Sequence, residues 1–422
     1  MKKQLFSQWV ESAQKNKDDF AVCLIQSIMV DASSQGVSDL HFQPGREGVE
    51  IWYRRDGVLH ELGEIAAEYT ERMVARLKVL ADLLTYRTNV PQEGRVRAGR
   101  VSGVTQEMRI STIPTLYGER VVIRFFAEET RYEFPEQLGF SSDLQQKLLG
   151  TTQSRGGAII ICGPAGSGKT TTAYALLRHL ALSRGQGAER GEPGENLRSI
   201  ITLEDPVEHP ISHVAQVEVS SQSNVSLSDM IKFTMRQDPE VLFVGELRDK
   251  ASAVAAFQAA LTGHLLVTTF HAGGIAEAAG RLSEMGIEPF VLRSSINMII
   301  SQRLLRKLCD CARCASEPFD LTLGGVTHRM NDYRLPVGCD KCSHTGYRGR
   351  VVIAESAPWD DSRFARAVLE RVDTVELHAA AVAAGMKTLT DAGLELVSSG
   401  VTSPLEFVRV FGGDSLTSGP ES

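Results

Sequence analysis

Apolar residues recur along the chain in two rhythms, and the switches between them mark its divisions. Near the start Phe20, Leu24 and Ile28 fall four apart, which predicts helix within residues 1–36, ending at Ser33, Ser34 and Gly36. From Val37 the period shortens to two. Val49, Ile51 and Tyr53 alternate with polar residues ahead of Asp56-Gly57, a hairpin signal because glycine accepts the positive φ of a tight reversal. A helix over about Glu68–Leu84 follows, and alternation resumes at Met108 and Ile110 and at Val121, Ile123 and Phe125. Residues 37–126 therefore read as a small α+β domain, and residues 127–137, which lack periodicity, as a linker.

Beyond Leu138 the texture changes again. Short apolar runs at Ala158–Ile161, Ile200–Leu203, Val241–Val244 and Leu265–Thr268 are separated by helical stretches, which predicts an α/β domain over residues 138–361 with a mostly parallel sheet covered on both faces. Residues 183–196 are Gly-rich, charged and aperiodic, and read as a loop. Leu292, Ile296, Ile299, Ile300, Leu304 and Leu308 have helical spacing and predict an apolar helix buried in its own domain. A cysteine-rich insert occupies residues 309–345, and residues 362–422 read as a helical C-terminal region.

Composition narrows the class without naming a chemistry. The 422 residues are 42% hydrophobic and 23% charged, ordinary for a water-soluble protein of two or three domains. No stretch approaches the ~18 uninterrupted apolar residues of a membrane span, and the start does not resemble a signal peptide, so a cytosolic protein is expected. With 45 basic and 52 acidic residues the net charge is −7, which argues against direct grip on nucleic acid. Five of the seven cysteines lie between Cys309 and Cys342, a density that points to metal rather than to disulfides.

The sharpest local signal is Gly163, Pro164, Ala165, Gly166, Ser167, Gly168, Lys169, Thr170 and Thr171, preceded by an apolar strand and followed by a helix-forming run. This is the P-loop pattern: backbone N–H groups turn inward on phosphates, the helix start adds partial positive charge, Lys169 reaches the terminal phosphates of ATP and Thr170 ligates Mg²⁺. Hydrolysis also needs carboxylates. The run Val241–Val244 leads through Gly245 to Glu246, a candidate for activating water. Gly245 stands where many such motors carry an aspartate, which leaves Glu204 and Asp205, behind the strand Ile200–Leu203, as candidates for organising Mg²⁺. His271 ends a third strand. In a parallel sheet all these ends share the edge that holds the phosphate loop.

Together these motifs resemble the secretion ATPase superfamily that powers type II secretion and type IV pilus assembly. GPAGSGKT resembles its Walker A motif, ITLEDPVEH its aspartate box, RQDPEVLFVGELRD its atypical Walker B motif and LLVTTFHAG its histidine box. SDLHFQP, RRDGVL, PQEGR, RISTIPTLYGERVVIRF, GYRGRVVIAE and GMKTLTDAGLELVSSGVT extend the similarity from about Val37 to Val410. The resemblance implies a RecA-like P-loop motor domain behind a PAS-like α+β domain, in a short form without the usual N-terminal docking domain. It implies that Glu246 is the catalytic glutamate, that Glu204 helps order Mg²⁺ and water, and that His271 senses or stabilises the nucleotide state. It also implies that Arg95, Arg109 and Arg124 of the preceding domain supply charge to the phosphates. Residues 85–125 hold seven arginines, no lysine and three glutamates, in keeping with that role.

The same resemblance implies a hexamer on the cytoplasmic face of the bacterial inner membrane, acting on a platform protein and only indirectly on pilin or pseudopilin subunits. Cys311, Cys314, Cys339 and Cys342 are the favoured ligands of a structural Zn²⁺, since x₂ spacing lets two thiolates grip one ion, with Cys309 as the alternate. This tetracysteine module resembles that of assembly motors and favours them over retraction motors. Two further readings are an ATPase serving a DNA-transfer pilus and a scaffold that binds nucleotide without hydrolysing it. Intact Lys169, Thr170, Glu204 and Glu246 argue against the scaffold.

Overall fold

The structure, a computed structural model, describes residues 3–15, 19–126, 132–182, 198–219, 225–323, 325–359, 362–412 and 415–417. The loop expected at 183–196 and residues 127–131 of the expected linker lie outside them. The chain forms two compact units: residues 1–131 with 338–345, and residues 132–337 with 346–422.

The first unit begins with α1 (Lys3–Gln14) and α2 (Phe20–Ser34), then β1 (Asp39–Pro44), β2 (Gly48–Arg55), β3 (Val58–Ala66), α3 (Thr70–Leu80), β4 (Gln92–Val96), β5 (Met108–Thr115) and β6 (Gly118–Phe125). Its strands make an antiparallel sheet in the order β3-β2-β1-β6-β5-β4. Phe20, Leu24 and Ile28 are fully buried, as their four-residue spacing requires, and pack with Leu40, Ile51, Ile110 and Ile123 from one face of the sheet. Asp56 and Gly57 turn β2 into β3 at φ 49° and 82°. Helices and an antiparallel sheet together make this an α+β unit, which takes in α1, α2 and residues 338–345 as well as the strands expected within 37–126.

In the second unit, α4 (Ser142–Thr152) leads to β7 (Gly157–Cys162), α5 (Lys169–Leu182), β8 (Ile200–Glu204), β9 (Ala215–Glu218), α6 (Leu227–Thr234), β10 (Val241–Val244), α7 (Lys250–Leu261), β11 (Leu265–Phe270), α8 (Ile275–Glu284) and α9 (Pro289–Ser295). Next come β12 (Ile296–Leu308), the short strands β13 (Arg313–Cys314), β14 (Phe319–Leu323), β15 (Val326–Met330) and β16 (Arg334–Leu335), and β17 (Tyr347–Glu355). The chain closes with α10 (Arg363–Glu370), α11 (Thr374–Ala383), α12 (Leu389–Ser398), α13 (Pro404–Phe411) and β18 (Ser415–Thr417). The main sheet runs β17-β12-β7-β11-β10-β8-β9, parallel except for β17 at one edge.

Both faces of this sheet are covered. Ile159, Ile161, Phe243 and Val267 point toward Leu148, Leu176 and Leu177 of α4 and α5. Their neighbours Ala158, Ile160, Leu242 and Leu266 point the other way, toward Phe257, Ala278 and Leu282 of α7 and α8. Layers on both faces are why these strands read as unbroken apolar runs.

One expected element is corrected. Residues 296–308 form a strand, not a helix. Ile296, Met298, Ile299, Ile300 and Ser301 are all buried because β12 runs beside β7 in the middle of the sheet, so no polar face reveals a period of two.

Candidate active site

Register fixes what meets at the sheet's carboxyl edge. Val244 lies opposite Thr268 and Leu203, so Glu246, Glu204 and the chain leading to His271 emerge side by side. Phe270 lies opposite Cys162, so His271 and Gly163 leave the sheet together, and Gly163 N–H donates to Phe270 O at 3.2 Å. Gly163 is there by necessity: at φ 151° a Cβ would come within 2.5 Å of Ser167 Oγ and 2.6 Å of Gln302 O.

The loop from Gly163 to Gly168 caps α5, whose first residues are Lys169 and Thr170. Lys169 is buried, and its Nζ donates to Gly163 O at 2.8 Å and Pro164 O at 3.0 Å. Burial lowers its pKa, against the pull of Glu246. Ser167 Oγ is buried and has no hydrogen-bond partner. An orphaned hydroxyl inside a loop of inward-turning N–H groups fits an oxyanion ligand there.

Glu246, one-quarter exposed, accepts from Arg248 Nε at 2.8 Å and faces His271 Nε2 at 3.3 Å. Burial lowers the His271 pKa, Lys169 lowers it further, and Glu246 opposes both. Beside the pair opens a cavity of about 380 Å³, lined also by Arg248, Phe270, Arg281 and Met285.

Glu204 is nearly fully buried and already held. The Tyr174 hydroxyl donates to Oε2, while the Thr202 hydroxyl at 2.6 Å and the Gln216 amide at 3.1 Å donate to Oε1. Burial, then the hydrogen bond to Glu204, pushes the Tyr174 pKa well above its ordinary value. A carboxylate has about four lone-pair sites, so room remains for a water or an ion. A Cβ on Gly245 would lie 4.0 Å from Glu204 Cγ, so the carboxylate of Glu204 stands beside the position from which Gly245 offers none.

In the first unit the register aligns Arg95 with Arg109, Arg109 with Arg124, Arg124 with Asp39, and Asp39 with Arg54. The three arginines singled out from sequence thus form one row across one face of the sheet. Arg109 pairs with Glu93, and Arg124 Nε donates to Asp39 Oδ1 at 2.9 Å.

The family described as "Type II/IV secretion system protein" matches residues 14–409. The chain belongs to this family. Among its relatives is the type IV pilus assembly ATPase TfpB of Acinetobacter baylyi, 34% identical over 93% of this chain and 66% of that protein. The type II secretion system protein E of Pectobacterium carotovorum is 36% identical over 92% of this chain and 75% of its own length. The chain thus spans about two thirds to three quarters of these relatives. Two solved structures share the fold: the ATPase DotB of Legionella pneumophila (TM-score 0.65, 19% identity, 92% of this chain and 95% of that one) and the pilus retraction motor PilT with bound ADP (0.58, 21%, 91% and 96%). The PAS-like character expected of the first unit has no counterpart in these findings.

In this type II/IV secretion protein the cysteine set differs from the favoured one. Cys309, Cys311, Cys339 and Cys342 come together, their sulfurs all within 4.8 Å of one another, while Cys314 sits exposed on β13. β12 runs to Leu308, past an irregularity in its pairing with β17 at Arg306/Leu308, and delivers Cys309 buried beside the other three. Cys339 and Cys342 Sγ are 3.8 Å apart. A tetrahedral ion with Zn–S of about 2.3 Å requires about that separation, so the set fits zinc.

Sequence reasoning passed over several residues that brace the edge. Gln302, Tyr174 and Arg303 are among them; Arg303 Nη2 donates to Gly273 O at 2.6 Å, just after the histidine. Glu355 is another. Its buried carboxylate accepts from Ile275 N at 3.0 Å and Leu389 N at 3.2 Å, joining the first turns of α8 and α12. Burial raises its pKa even so. A lone polar residue within an apolar run was the one available signal.

Proposed function

We propose that this chain is an ATP-hydrolysing motor for type IV pilus assembly or type II secretion. It works as a homo-hexamer at the cytoplasmic face of the bacterial inner membrane, through a platform protein and so indirectly on pilin or pseudopilin subunits. The observation that carries this reading is the convergence of the phosphate loop, Glu204, Glu246 and His271 on one edge of a parallel sheet. The curated relatives are themselves described as pilus assembly ATPases and type II secretion proteins. Among the described residues no helix is long and apolar enough to cross a membrane.

The chemistry follows from the site. Loop N–H groups and Lys169 bind the phosphates of ATP, with Lys169 exchanging its two loop carbonyls for phosphate oxygens. Thr170, with water ordered near Glu204, is the place for Mg²⁺, which supplies charge neutralisation at the transferred phosphoryl group. Glu246, braced by Arg248 and His271, orients the attacking water and takes its proton. Arg95, Arg109 and Arg124 are the source of guanidinium charge for the phosphoryl group. The four clustered cysteines hold a structural Zn²⁺ that orders the insert.

Glu246→Gln tests the reading. The amide keeps the shape but cannot take a proton, so nucleotide affinity should be unchanged while turnover falls about 10²–10⁴-fold. Undiminished turnover in that variant rejects Glu246 as the base.

A further inference from the structure

Gln302 lies on β12 one residue beyond Ser301, the last position paired with β7, and so stands beside the point where β7 gives way to the phosphate loop. Its side chain is fully buried, and both ends of its amide are used. Nε2 donates to Ser167 O at 2.8 Å, and Oε1 accepts from the Thr172 hydroxyl at 3.0 Å. Ser167 O can only accept, so the amide has one permitted orientation. Its backbone oxygen closes the third side, where Gly163 has no Cβ.

We propose that Gln302 is a positioning residue for phosphate binding, acting through the peptide between Ser167 and Gly168. This rests on the assignment of residues 163–170 as a nucleotide site. In a trans peptide the C=O and the following N–H point in opposite directions. By holding Ser167 O, Gln302 turns the Gly168 N–H away from itself and into the concave side of the loop, where an N–H is worth most to a phosphate oxygen. The Thr172 contact fixes the same amide to the first turns of α5, so loop and helix start move as one piece. Without Gln302 the peptide is free to flip, and Ser167 O, left unpaired, competes for the space that a phosphate oxygen needs.

The test compares ligands that differ only in phosphate. Binding of ADP and of adenosine by the full-length protein is measured for wild type, Lys169→Ala, Gln302→Leu and Thr172→Val, with thermal unfolding as the check on folding. Leucine fills the volume and removes both hydrogen bonds. Thr172→Val removes one from the opposite end and needs no change on β12. Gln302→Leu should weaken ADP binding about tenfold or more and leave adenosine binding unchanged, and Thr172→Val should do the same to a smaller degree. The double variant should lose less than the sum of the two, because both act through one amide. Unchanged ADP affinity in a folded Gln302→Leu protein, or equal loss for ADP and adenosine, overturns the proposal while Lys169→Ala still loses ADP. If Gln302→Leu fails to fold, Thr172→Val decides by the same two criteria. Absence of ADP binding by wild type overturns the nucleotide site itself, and this inference with it.

Discussion

Glu406 offers a stringent test of how the C-terminal helices are held. It is fully buried on α13, yet it carries two guanidinium partners. Arg306 of β12 donates to it from its backbone N at 3.0 Å and its Nε at 2.8 Å, and Arg409 from Nε at 2.7 Å and Nη2 at 2.6 Å. The two arms are unequal. Arg409 has 40% of its side chain exposed, so its arm is a surface pair worth up to about 1 kcal/mol. Arg306 is 13% exposed and stacks 3.9 Å over the Tyr347 ring, whose hydroxyl bonds Ser403. Removing the shared carboxylate strands a buried cation, so Glu406→Ala should cost about 3–5 kcal/mol. Arg409→Ala should cost about 1 kcal/mol or less.

A chain of two units need not unfold in one step, so the measurement is amide hydrogen exchange in α13, which reports the local opening free energy. Burial raises the Glu406 pKa, but Arg409 and Arg306 outweigh it, and the folded-state value lies below the ordinary 4.5. The stabilisation is therefore complete above that ordinary value and disappears as pH falls through the lower folded-state value. Protection in α13 that drops by less than about 1 kcal/mol in Glu406→Ala, or equally in Arg306→Ala and Arg409→Ala, refutes this assignment of the buried arm.

Two further expectations concern the other sites. Elemental analysis of protein purified without chelator should find zinc in wild type and in Cys314→Ser but not in Cys309→Ser; the reverse pattern would restore the ligand set favoured by spacing. Arg109→Ala should lower ATP turnover with nucleotide affinity little changed, and unaltered turnover would remove Arg109 from the reaction.

Much of the second unit is legible in the chain because it is buried on both faces. Val241–Val244 and Ile200–Leu203 are short apolar runs with turn residues or carboxylates at their ends, and no other element suits them. Helix starts are equally open to reading: Ser141, Ser226, Asp249, Ser362 and Thr388 each cap the helix that follows. The same burial hides β12. Its isoleucines and leucines satisfy a helical period by accident, and only the neighbouring strands decide against it. With the strand unread, Gln302 and Arg303 had no place at the sheet edge, and Cys309 no rigid support. The x₂ spacing of Cys311 and Cys314 favoured Cys314 because such spacing describes a turn, whereas the chain at Cys314 is extended and exposed and Cys309 joins the cluster in its place.

β12 is 13 residues long, which at about 3.3 Å per residue makes a rod of some 40 Å. One extended segment thus serves as a lattice strand in the core, a splint for the phosphate loop and a mast for Cys309. Between its two irregularities, at Ile296/Met298 and at Arg306/Leu308, side chains alternate along it, so inserting or deleting a single residue just after Ser301 would turn Gln302 to Arg306 to the opposite face. Loops elsewhere in the chain can lengthen or shorten as lineages diverge. Here the distance between Gln302 at the sheet edge and Cys309 is set by the strand itself, and natural variation should change the letters of this strand while leaving its length alone.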